Sequence, residues 1–97
     1  MHARVVNMEM MPMDVAEAVR IYRHEVIPSA KEERGFSGAL LLTDQPTGEG
    51  VSITFWASEE DMHTSELSGF YHKKLTDLDA LLISAPVRKH YEVSAQE

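Results

Sequence analysis

Residues 51–61, VSITFWASEED, hold the junction that decides the fold. Val51, Ile53 and Phe55 alternate with Ser52, Thr54 and Trp56, and a period of two predicts a strand. The alternation stops at Ser58, and Asp61 follows three residues later. A serine hydroxyl before an acidic turn is an N-cap signature, so a helix starts just after Trp56. One strand therefore runs almost directly into a helix.

Working back from this junction, GFSGALLLTD (35–44) is a second strand with apolar residues on both faces. QPTGEG (45–50) is a turn by composition, so the two strands form an antiparallel hairpin. Working forward, Ser68-Gly69 is a weak point in the helix. Leu67, Tyr71, Leu75, Leu78 and Leu82 line up as one stripe, and Pro86 closes the element. VRKHYEVSA (87–95) is the last strand, with Val87, Lys89, Tyr91 and Val93 on one face.

The N-terminal third repeats the pattern. ARVVNMEMM (3–11) has the strand period. Pro12 suits a helix start, and Asp14 with Glu17 resembles a capping box. Val15, Ala18, Val19, Tyr22 and Val26 form one helical stripe. Pro28 is expected to end or kink that helix, and Gly35 to stop any further turn.

The order is strand, helix, strand, strand, helix, strand. This predicts an α+β, ferredoxin-like βαββαβ domain over residues 1–97: a four-stranded antiparallel sheet with two helices on one face. Two helices leave the other face bare, yet the second strand is apolar on both sides. An open apolar sheet face is a liability that a second copy of the chain would cover. The expected state is a homodimer whose sheets pack into a β-barrel.

The bulk composition narrows the function classes. The 97 residues suit one domain, and 43% hydrophobic content allows a core. Sixteen acids against nine bases give a net charge of -7, which disfavours nucleic acid as a partner. No segment approaches a membrane span. With no signal-like N-terminus and no cysteine, a cytoplasmic location is expected. The missing cysteines also exclude thiolate metal sites and a thiol nucleophile.

The order of elements, the GFSGALLLTD strand, the FWASEED junction and the terminal YEV together resemble the antibiotic-biosynthesis monooxygenase-like group of the dimeric α+β barrel superfamily. The resemblance implies a pocket between sheet and helices. It implies oxygenase chemistry without metal or flavin, in which a deprotonated phenolic or quinol substrate passes an electron to dioxygen. It implies no cofactor, and a small aromatic molecule as ligand. A haem-degrading branch carries an asparagine on the first strand, then a tryptophan and a histidine on the second helix. Asn7 matches the first, but Ser65 and Leu75 stand at the other two positions, so haem degradation is disfavoured. Fold alone does not assign a reaction, and a non-catalytic ligand-binding or assembly domain is the alternative.

Several residues are candidates for chemistry, each with a plainer reading. Asn7 is unfavoured in a strand and could hold a substrate oxygen or a peroxide; a strand-end backbone contact is the alternative. His72 is the candidate general base, and the Tyr71 hydroxyl could reach a cavity. Trp56, Tyr22 and Phe70 could form aromatic walls for a substrate, although the favoured reading of Trp56 is a barrel or subunit-interface anchor and that of Tyr22 is core packing. His63, with Glu59 and Glu60 one turn earlier, has metal-ligand residue types, but such groups usually form a solvated face, and no metal site is expected. His24 and His90 have no partner suggesting chemistry. An enzyme of this kind needs a ring-sized cavity beside Asn7.

Overall fold

The structure, a computed structural model, describes residues 1–67 and 69–97, and the side chains of these except 69–72 and 74. Strand β1 spans His2–Glu9, β2 Phe36–Asp44, β3 Glu49–Trp56 and β4 Val87–Glu92. They form one antiparallel sheet in the order β2-β3-β1-β4. This is the ferredoxin-like arrangement that the element order implies.

The first crossover comprises α1, Val15–Ile21, a π-helical turn at Tyr22–Val26, and α2, Ile27–Ala30. The second comprises α3, Glu59–Glu66, and α4, Gly69–Asp79. Among the described residues, no helix is long and apolar enough to cross a membrane.

The core lies between the helices and one face of the sheet. Met8 and Met10 from the first-strand segment meet Val15, Ala18, Tyr22 and Val26 there, all buried. Val15, Ala18, Tyr22 and Val26 belong to the stripe that the sequence pattern predicts; Ile21 joins them from the same helix.

Three local expectations need correction. Pro28 does not end the first helix, which continues to Ala30. Proline removes a donor from the α-helical ladder, and the turn just before it is the π-helical one, in which the Ile27 N–H donates to the Tyr22 carbonyl. Asp14 makes no side-chain capping bond, because a 3-10 turn at Pro12–Asp14 already leads into the helix. Leu67 is 87% exposed rather than part of a helical stripe. It caps the C-terminus of α3, and the break that separates α3 from α4 takes it off the line of Leu75 and Leu78. The break itself falls where Ser68-Gly69 suggests, and the Ser58 hydroxyl accepts from the Asp61 N–H at 3.1 Å as its cap signature requires.

The uncovered face carries Val5, Val51, Ile53 and Phe55, with Leu40 and Leu42 about half exposed on β2 and Val87 and Tyr91 likewise on β4. Register places these side by side: Val5 pairs with Ile53, Leu40 with Ile53, and Ala3 with Tyr91.

Candidate functional site

Alternation along β1 and β3 has an unusual result. The outward set of β3 is Glu49 at its start, then Val51, Ile53 and Phe55. The inward set is Ser52, Thr54 and Trp56, all buried. Beside them on β1, Arg4 is 4% exposed. Arg4, Ser52 and Thr54 therefore face the helices among the apolar side chains of Val6, Met8 and Trp56, where burial costs free energy unless each polar group is hydrogen-bonded.

Each of these groups is bonded. The Arg4 guanidinium donates through Nη2 to the Met62 carbonyl at 3.0 Å and to the Ser65 hydroxyl at 2.8 Å. Its Nε donates to Glu66 at 3.2 Å, and its charge lies 5.5 Å from the Trp56 ring centroid. Trp56 Nε1 donates to the Thr54 hydroxyl at 3.0 Å. The Tyr22 hydroxyl donates to the Leu40 carbonyl at 3.2 Å and shares a 3.0 Å bond with Ser52. Among the described residues no buried side-chain polar atom lacks a partner. The lining is polar and held in place.

A groove opens beside this lining. Its outer part has a volume of about 430 Å³ between Arg4, Glu66, Leu75, Arg88 and His90. A small recess of about 20 Å³ lies further in, where Ser52 and Thr54 meet Val6, Met8, Leu75 and Leu78. The outer part is within the range that holds small organic ligands, roughly 300–1,000 Å³. The recess has room for about one water. Arg88 stands at the mouth, paired with Asp79 at 3.5 Å.

A second cluster sits on the rim. His63 Nδ1 lies 3.5 Å from one Glu66 carboxylate oxygen, and His90 Nε2 lies 3.0 Å from the other. Burial by itself would raise the Glu66 carboxyl. Arg4, with help from His63 and His90, outweighs that and holds it below its ordinary value.

The sequence-based candidates divide sharply. Asn7 faces the uncovered side of the sheet, opposite the groove. It is exposed in a separate recess of about 220 Å³ with Glu49, Val51 and Val87, so the expectation that it lines the interior pocket is corrected by strand parity. Trp56 is completely buried, edge-on to Phe36 with 5.6 Å between ring centroids, and has no face open to a ligand. Tyr22 is buried in the core and reaches the lining only through its hydroxyl. Tyr71, His72 and Phe70 lie outside the described side chains. Two residues at the groove, Arg4 and His90, are not among the sequence candidates. Arg4 reads as an ordinary strand cation until its partners on α3, some sixty positions away, are known. His90 acquires its partner, Glu66, only when β4 pairs with β1.

No protein-family model matches the chain, and no curated protein matches it. Solved structures do. An antibiotic biosynthesis monooxygenase superposes with a TM-score of 0.78 at 14% identity, over 98% of this chain and 100% of that one. SnoaB, a cofactor-independent oxygenase from Streptomyces nogalater, gives 0.76 at 16% identity over 98% and 95%. A protein of unknown function from Nitrosomonas europaea gives 0.77 at 22% identity over 99% and 91%. At these identities the likeness carries architecture across nearly the whole length. The chain has the fold of the antibiotic biosynthesis monooxygenase-like proteins.

Proposed function

We propose that the chain binds a small aromatic or quinol-type molecule in the groove between sheet and helices and oxidises it with dioxygen as a cofactor-independent monooxygenase. The observation that carries this reading is the set of polar side chains buried at one end of the helix-facing side of the sheet. Arg4, Ser52 and Thr54 stand there beside a groove, with their hydrogen bonds fixing where each one points. A ring system would lie against Leu75, with Arg88 at the mouth to hold a phenolate oxygen. The cation favours the ionised substrate, which is the electron-rich form that reacts with dioxygen. His72 and Tyr71 remain the proposed proton acceptor and hydroxyl partner. Asn7, on the far face, takes no part in this site. SnoaB, of the same fold, is described as a cofactor-independent oxygenase, which supports the reaction class.

The apolar face in this proposal meets the same face of a second copy, giving a homodimeric barrel with the grooves outside it. A cytoplasmic location fits the absence of cysteine.

The small inner recess favours a second reading, a binding domain without turnover. Oxygen consumption separates the two. Chelator-treated, flavin-free protein is incubated with a panel of phenols and hydroquinones in air. The oxygenase reading expects oxygen uptake that saturates with one substrate class and falls at least about tenfold in Leu75→Trp, which fills the groove. Binding without uptake selects the second reading. Neither binding nor uptake across the panel refutes both.

A further inference from the structure

The rim of the groove carries a set of side chains that the oxygenase reading does not use. We infer that His63, Glu66 and His90 form a binding site for a divalent transition-metal ion of the zinc class. The three residues come from two elements, α3 and β4, and one candidate ligand atom from each lies within 4.8 Å of the others. Two imidazoles and a carboxylate suit zinc and its neighbours, and leave a fourth position for water or a ligand.

The spacing brings the three groups within reach of one ion. Bonds of about 2.0–2.2 Å in a tetrahedral shell put adjacent donor atoms about 3.3–3.5 Å apart. His63 Nδ1 lies 3.5 Å from one Glu66 oxygen and His90 Nε2 lies 3.0 Å from the other, so the carboxylate stands between the two imidazoles at near-ligand spacing. The imidazole rings meet edge to face with centroids 5.4 Å apart. All three side chains are partly exposed.

The surrounding groups also fit. A metal-bound histidine usually gives its second ring N–H to a carboxylate, which fixes the tautomer and aims the other nitrogen. Glu59 occupies that position, with an oxygen 3.4 Å from His63 Nε2. Helical geometry explains the set: Glu59, His63 and Glu66 stand at i, i+4 and i+7 on one face. Arg4 is the opposing charge, 3.2 Å from Glu66. Two carboxylates against one guanidinium still leave a negative site while the imidazoles are neutral, on a chain whose net charge is -7. Glu60, the other acid beside His63 in the sequence, is not part of the cluster.

The test is titration of the untagged, metal-stripped protein with Zn²⁺ by calorimetry, and with Co²⁺ by visible absorption. The expected result is one ion per chain and an intense Co²⁺ band of four-coordinate type. Affinity should fall at least about tenfold in both His63→Gln and His90→Gln, and by roughly tenfold in Glu59→Gln. His24→Gln, on the exposed side of the first crossover, should bind as the original does. Circular dichroism shows whether each variant is folded; Glu59 is exposed and carries the test if a histidine variant is not. Absence of binding, a pale octahedral spectrum, or equal weakening in His24→Gln overturns the proposal.

Discussion

Glu66 shows how a single residue ties the site together. It lies on α3, accepts from Arg4 on β1 and approaches His90 on β4. Its carboxyl is held below the ordinary value even though partial burial acts the other way. A group with a depressed folded-state pKa stabilises the fold above its unfolded value, about 4.3, and the contribution is lost as pH falls through the lower folded value. In Glu66→Gln this pH-dependent part is gone. The stability difference between the two proteins should therefore shrink as pH falls from about 5 to about 3, read by urea unfolding at each pH. It should be modest, about 1 kcal/mol or less at neutral pH, because Glu66 is still about one-third exposed. A difference that grows on acidification would show that Arg4 does not control this carboxyl. None of this is legible in the sequence: Arg4 and Glu66 are far apart along the chain, and only the β1–β3 pairing, which carries α3 across β1, brings them together.

At the scale of elements, two local devices set the two ends of β3. Ser58 caps α3 directly after Trp56. Gly48 closes the hairpin with φ +80°, and a Cβ at that position would overlap the Met10 carbonyl. Ser58→Ala should cost about 1 kcal/mol. Gly48→Ala should cost more than that, since both conformation and contact oppose it. Denaturant midpoints check both, and a smaller loss at Gly48 than at Ser58 would contradict the account. Both devices were readable in advance, because a cap and a turn are written in adjacent residues. The bulge in β2 was not. Between Phe36 and Gly38 the pairing slips by one residue, so Phe36 joins Trp56 on the inner face while Leu40 and Leu42 point outward. Plain alternation would put Phe36, Leu40 and Leu42 on one side. The same limit misplaced Asn7: period two states that neighbours take opposite faces, but not which face the helices cover.

For the whole molecule, the two faces of the sheet pose one question. The inner face buries bonded polar groups, and the outer face leaves Leu40, Leu42, Val87 and Tyr91 half exposed around Val5, Ile53 and Phe55. In the homodimer proposed above, the same face of another chain covers this apolar surface, which extends across all four strands. The βαββαβ order and the greasy second strand made the bare apolar face visible from the sequence. The polar interior was less so, because Ser52 and Thr54 read naturally as the solvent side of β3. Sedimentation velocity at micromolar concentration, on the original chain and on Ile53→Lys, tests this most directly. The account expects a dimer for the first and a folded single chain for the second. A stable, soluble single chain for the original protein would contradict it.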